Sequence, residues 1–150
     1  MYIRFAKTNP SAFLPKRAHP TDAGLDIRMP SDKSIVIKAG EQAMVDSGLK
    51  VEVPYGYMLM AANKSGIATK KELILGAHII DTFYKGPLII NLHNIGTQDQ
   101  LINPGDGLCQ MILIPIVCAQ TLECREDELY KDFELGEIRG ESGFGSGHTK

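Results

Sequence analysis

The chain breaks into short apolar, β-branched runs, each closed by glycine or proline before a helix of ordinary length can form. Residues 34–38 (SIVIK), 42–46, 49–53 and 57–61 are such runs, and residues 73–80, 87–94 and 108–117 continue the series. Lys85-Gly86 and the stretch 103–107 (NPGDG) read as turns between them. Strands this closely spaced, with no long helical period between, predict an all-β sandwich or barrel rather than βαβ units. Two segments have helical character. Residues 65–73 are short and contain Gly66, and residues 123–133 carry Leu129 and Phe133 four apart. From Gly136 the chain turns to Gly, Ser and charges. The expected organisation is therefore a β domain over 1–135 and a tail over 136–150.

Composition matters through what it excludes. Sixteen Lys and Arg stand against eighteen Asp and Glu, a balance that argues against a broad basic nucleic-acid surface. The longest apolar run, 111–119, is interrupted by Pro115 and is far shorter than a membrane span. Cys109, Cys118 and Cys124 are odd in number and lack C-x-x-C spacing, so neither a disulfide scaffold nor a cysteine zinc site is expected. The expectation is a soluble, intracellular protein with no membrane or nucleic-acid partner.

Several short patterns carry chemistry. The tail from Arg139 has glycines at 140, 143, 145 and 147 and reads as a disordered terminus, which composition alone favours, or as a segment whose exposed N–H groups suit a polyphosphate, with Phe144 as its one large aromatic. No helix follows Gly147, so the dinucleotide reading of a Gly-rich loop fails, and Lys64-Ser65 lacks the glycine of a Walker A loop. Asp81 follows an apolar run and precedes a turn, as a turn-former or as a general base three residues before Tyr84. Asp26 reads as a turn residue or an oxygen ligand for a hard cation. Lys64-Ser65-Gly66, opening a possible helical turn, suits a phosphate.

Taken in order, AGLDI at 23–27, NKSGIA at 63–68, GAHIIDTFYKG at 76–86, PGDGLCQMILIPI at 104–116 and RGESGFGSG at 139–147 closely resemble the five motifs of the homotrimeric dUTPases. The resemblance runs from about Thr21 to the C-terminus. It implies a jelly-roll-like β fold and a homotrimer in which each active site collects residues from all three subunits. It also implies dUTP as substrate, hydrolysed to dUMP and pyrophosphate with Mg²⁺. By the same resemblance Asp81 activates the attacking water and Tyr84 packs under the deoxyribose. Ile79, Ile80 and the strand through Ile89 read the base by main-chain hydrogen bonds. Lys64, Ser65, Gly66 and Gln110 serve the phosphates, and Asp26 holds magnesium through water. Arg139, Phe144, Gly145 and Ser146 close over the nucleotide.

The chain departs from the family pattern at particular positions. Lys64 and Gly107 stand where arginine is usual, and His78 stands where a small residue is usual; the tail ends Ser-Gly-His. A lysine keeps the charge of an arginine but not its planar fork. The related dCTP deaminases share Ala-His before Ile-Asp but use a glutamate on the following strand as proton shuttle. Asn91 occupies that position here, and an amide cannot act as a base. The alternatives to a dUTP hydrolase are a dCTP or mixed dUTP/dCTP pyrophosphatase, and a dUTPase-like trimer that acts by binding protein partners.

Overall fold

The computed structural model describes residues 1–131 and resolves into two compact units, Met1–Cys118 and Ala119–Lys150. The first unit contains eleven strands and one helix: β1 (Arg4–Lys7), β2 (Leu25–Arg28), β3 (Ile35–Ile37), β4 (Gln42–Asp46), β5 (Leu49–Glu52), β6 (Tyr57–Ala62), α1 (Ser65–Lys70), β7 (Leu73–Leu75), β8 (Ile79–Ile80), β9 (Ile89–Asn94), β10 (Gln100–Ile102) and β11 (Gly107–Pro115). Every strand pair among them is antiparallel. Four sheets result: β1–β5, β3–β10, the four-stranded β2–β11–β6–β8 and the three-stranded β4–β9–β7. This is the all-β, jelly-roll-like architecture expected from the sequence.

Most of the apolar runs fall where expected, with one correction. Residues 73–80, read as a single strand, form two strands in different sheets: β7 pairs with β9, and β8 pairs with β6. The break is at Gly76-Ala77-His78. A Cβ at position 76 would drive into the side chains of Asn91 and His93, so only glycine lets the backbone pass that close. Residues 65–73 yield α1, which stops at Lys70. Of the helix expected over 123–133, the described residues show a 3₁₀ turn at Glu126–Glu128 in the second unit; Phe133 lies outside them.

Packing follows the alternation of each strand. In the four-stranded sheet, Ile27, Cys109, Met111, Leu59 and Ala61 are buried and face the core. Each large apolar side chain so buried contributes about 1.5–3 kcal/mol. The opposite face carries Met58, Met60, Ile112 and Ile114, only half-buried, so this sheet is apolar on both sides. A sheet with one solvated face ordinarily alternates apolar with polar, and this one does not.

Turn chemistry joins the sheets. At 103–106, Pro104 and Gly105 (φ +78°) form the centre of a turn closed by the Asp106 N–H to the Asn103 carbonyl at 3.1 Å, as a type II turn requires. The turn delivers the chain into β11 through an irregularity between Gly107 and Cys109 in its pairing with β2. No helix among the described residues is long and apolar enough to cross a membrane.

Candidate active site

The described site residues predicted from the sequence form two groups on or beside the four-stranded sheet, except that Ile89 opens β9 in the three-stranded sheet. The first surrounds the end of β8. There Ile79, Ile80, Asp81, Tyr84 and Ile89 line one cavity of about 300 Å³ together with His78. Asp81 is exposed and begins the turn closed by the Tyr84 N–H to its carbonyl at 3.2 Å. Thr82 anchors that turn by donating its hydroxyl to the Tyr57 carbonyl at 2.7 Å. Phe83 sits at φ +69°, a conformation costly for a bulky residue, in a turn that sets Asp81 and Tyr84 three residues apart. The Tyr84 hydroxyl donates to the Pro87 carbonyl at 3.1 Å, and its ring end lies against Gly86, where a Cβ would collide with it. Tyr84 is thus fixed as a flat wall of the cavity.

His78, exposed to solvent, is among the residues that line this cavity. Its Nδ1 lies 3.0 Å from the Gly76 carbonyl oxygen, which can only accept, so Nδ1 carries the proton. Sequence reasoning missed the support behind residues 76–78, which lead into β8. Asn91, nearly buried, accepts from the Ala77 N–H at 3.2 Å and donates to Gln42 Oε1 at 2.9 Å. His93 Nε2 lies 3.0 Å from Asn91 Oδ1 and is its donor. The polar Asn and His alternating within an apolar strand, at 91 and 93, are the signal that marks this support. Asn91 therefore holds the segment leading into β8 in place.

The second group lies where β2, β11 and β6 run side by side. Register places Asp26 opposite Gln110 and Gln110 opposite Ala62, so Asp26 and Gln110 share a face. Gln110 donates to the Asn63 carbonyl at 3.0 Å, and Gly24 gives it room, since a Cβ there would strike the amide. Lys64 precedes α1, its carbonyl accepting from Ile67 and Ala68, and Ser65 and Gly66 open the helix. The first N–H groups of a helix have no partner inside it, which is the chemistry a phosphate seeks. Lys64 Nζ reaches Asp26 Oδ2 at 2.6 Å. Beneath this pair Cys109 is fully buried, and that burial pushes its thiol up to about 12.

One chain does not bring the two groups together. Ile80 pairs with Leu59, so Asp81 lies level with Met58, four residues along β6 from Ala62 and three strands from β2. At about 3.3 Å per residue and 4.8 Å per strand, Asp81 and Asp26 are roughly 20 Å apart. Gln110 also points to the opposite face from Met111, which lines the cavity. Arg139, Phe144, Gly145 and Ser146 lie outside the described residues.

The donor set decides what kind of metal fits. Among the described residues no cluster of three or more His, Cys, Asp or Glu is placed to hold an ion. Asp26 is a single carboxylate already facing an ammonium. These residues suit magnesium that arrives on phosphate oxygens and keeps its waters, and they do not suit a resident all-protein cage.

The dUTPase family model matches residues 11–147. A deoxyuridine 5'-triphosphate nucleotidohydrolase of Pectobacterium carotovorum is 36% identical over 135 residues, covering 88% of this chain and 84% of that one. The Oryza sativa protein of the same name is 33% identical over 144 residues, covering 96% and 79%. Among solved structures, a variant dUTPase of Staphylococcus bacteriophage 80alpha with dUpNHpp superposes with a TM-score of 0.83 at 25% identity, covering 97% of this chain and 98% of that one. A variant dUTPase of phage phi11 of S. aureus, described for the coordination of a structural Mg(II) ion, matches with a TM-score of 0.78 at 26% identity over 85% and 99%. With its fold and most of its length in common with these proteins, the chain belongs to the dUTPase family.

Proposed function

We propose that the protein hydrolyses dUTP to dUMP and pyrophosphate at sites assembled from more than one copy of the chain. The observation that carries this reading is the cavity that joins Asp81 and Tyr84 to Ile79, Ile80 and Ile89. Attack on the α-phosphate needs an oriented water and a group to take its proton. Asp81, exposed at the cavity rim, takes the proton as the water oxygen bonds to the α-phosphorus. The bond to the bridging oxygen breaks, and pyrophosphate leaves. Tyr84 packs under the sugar, where a 2′-hydroxyl has no room, and Ile79, Ile80 and Ile89 offer main-chain groups to the base.

Lys64, Ser65, Gly66 and Gln110 bind and orient the triphosphate, and Asp26 would hold magnesium through water. Bound magnesium neutralises phosphate charge, which is its part in the chemistry. The roughly 20 Å between Asp81 and Asp26 supports a site completed by a second subunit, because one triphosphate cannot serve both groups of a single chain. The half-buried Met58, Met60, Ile112 and Ile114 supply an apolar face for such a partner, in keeping with a homotrimer. In this reading the tail residues Arg139, Phe144, Gly145 and Ser146 close over the nucleotide. The three free cysteines suit a reducing, intracellular setting.

The test is pyrophosphate release from dUTP, dCTP, dTTP and UTP in parallel with Mg²⁺. dUTP should be turned over fastest and UTP far more slowly. Equal turnover of all four would overturn the reading. Asn91, bound to Ala77 and Gln42, argues against deamination, so no ammonia should leave dCTP.

A further inference from the structure

Lys64 and Asp26, the two charges that the proposed function assigns to the phosphates and the metal, are bonded to each other. We propose that this pair is exchangeable: a magnesium-bound triphosphate separates it, phosphate oxygens taking the Lys64 ammonium and the metal's water taking Asp26. The inference rests on the functional reading above and adds to it the source of the metal dependence.

Three observations support exchange over a fixed strut. The pair is reachable, with side-chain exposures of 30% for Lys64 and 16% for Asp26. Its two halves also differ in freedom. Asp26 is fixed in β2, its N–H bonded to the Lys16 carbonyl at 2.8 Å, whereas the Lys64 ammonium ends a four-carbon stem. That stem lies along Gly107, where a Cβ would meet its Cδ at 3.5 Å and its Nζ at 3.7 Å. Glycine at 107 leaves this track open, and a long side chain there would compete for it. The two family departures, Lys64 and Gly107, are therefore one structural arrangement.

Electrostatics gives the exchange a distinctive sign. With magnesium, one ion pair is lost and two attractive contacts form. Without it, a bare triphosphate reaching Lys64 frees the Asp26 carboxylate beside its own negative charge. Asp26 should thus oppose metal-free nucleotide and favour metal-bound nucleotide. A strut that merely shaped the site would favour both alike.

The experiment is calorimetric binding of dUpNHpp to the full chain, with magnesium or with EDTA. Asp26→Asn should bind at least threefold more tightly than the unmodified protein in EDTA. In the same variant the enhancement by magnesium should shrink at least tenfold. Lys64→Met should weaken both modes at least tenfold. A nucleotide-free readout accompanies these: acetylation of Lys64 by an N-hydroxysuccinimide ester, followed by mass spectrometry. It should run at least threefold faster in Asp26→Asn, whose urea midpoint and circular dichroism report folding. Weaker binding of folded Asp26→Asn in EDTA overturns the exchange and leaves the functional reading standing. Unchanged acetylation in that variant shows that the pair does not form in solution. No binding of dUpNHpp by the unmodified protein with magnesium overturns the functional reading, and the exchange with it.

Discussion

A mixing experiment tests whether the roughly 20 Å between Asp81 and the Asp26–Lys64 group is bridged by a second subunit. One variant is Asp81→Asn, which keeps the shape of the side chain but removes the base. The other is Lys64→Glu, which sets a third negative charge beside Asp26 and the triphosphate while leaving Asp81 intact. Loss of a positioned general base costs on the order of a hundred- to ten-thousand-fold, so the first homotrimer should retain at most about 1% of normal turnover. After an equal mixture is refolded, a site needs its base from a Lys64→Glu subunit and its phosphate group from an Asp81→Asn subunit. In a closed three-fold ring each condition is met about half the time, so about a quarter of sites become complete. Pyrophosphate release should then rise to about a quarter of normal, at least about twenty-five times the Asp81→Asn parent. Native mass spectrometry must show the mixed trimers. If mixed trimers form and turnover stays at the parental level, no site draws these two groups from different chains. A site within one chain gives that result, since no chain in the mixture carries both groups intact.

Four further outcomes follow from the described contacts. Tyr84→Ala should narrow the preference for dUTP over UTP, measured as the ratio of kcat/KM values; an unchanged ratio removes Tyr84 from sugar selection. Asn91→Ala, which frees the Ala77 N–H and the Gln42 amide, should raise KM for dUTP more than it lowers kcat, because the segment leading into β8 is loosened and Asp81 is untouched. Asn94 is 2% exposed and donates to the carbonyls of Ile37 and Gln98 at 2.9 and 2.8 Å, so Asn94→Asp replaces two donors by an acceptor and should cost about 3–5 kcal/mol at pH 7, read from urea midpoints. The Asn103 N–H, aided by Lys71 and opposed by desolvation, holds the Asp106 carboxyl below its ordinary value of 3.8. Its contribution to stability is therefore complete above that value and fades as pH falls through the lower, folded one; Asp106→Asn should flatten the acid limb of stability against pH, and an unchanged slope would contradict the assignment.

What the sequence disclosed, and what it withheld, follows from the range of the interactions. Turn chemistry at 103–107 and the β-branched runs are local, and they place β3 to β6, β9 and β11 within a few residues. The run at 73–80 is apolar throughout, so period alone continues it as one strand. Its break depends on Gly76 passing under Asn91 and His93, fifteen and seventeen residues away. β1, β2 and β10 do not stand out in the sequence, and Asp26, read there as a turn residue or a cation ligand, lies in a strand: Arg4–Lys7, Leu25–Arg28 and Gln100–Ile102 are very short, and partners at Leu49–Glu52, in β11 and at Ile35–Ile37 make them strands. The site divides in the same way. Asp81 and Tyr84 stand three residues apart within one motif and are legible together. The Lys64–Asp26 pair spans 38 residues and arises because β11 lies between β2 and β6, with Gly107 beneath the lysine stem. No pattern along the chain announces that crossing.

Cys109 gives the protein a built-in clock for its own opening. With a thiol held at about 12, only on the order of one molecule in 10⁵ carries the reactive thiolate at pH 7, and the surrounding core excludes reagents besides. Cys118 and Cys124 are exposed and react at once, so a labelling time course separates into two prompt thiols and one delayed thiol. The delayed step times the parting of β2, β11 and β6, the strands that carry Asp26 and Gln110 and lead into Lys64. A ligand that ties those strands together will lengthen the delay in proportion to how firmly it holds them. Occupancy of that half of the site can thus be read without any turnover.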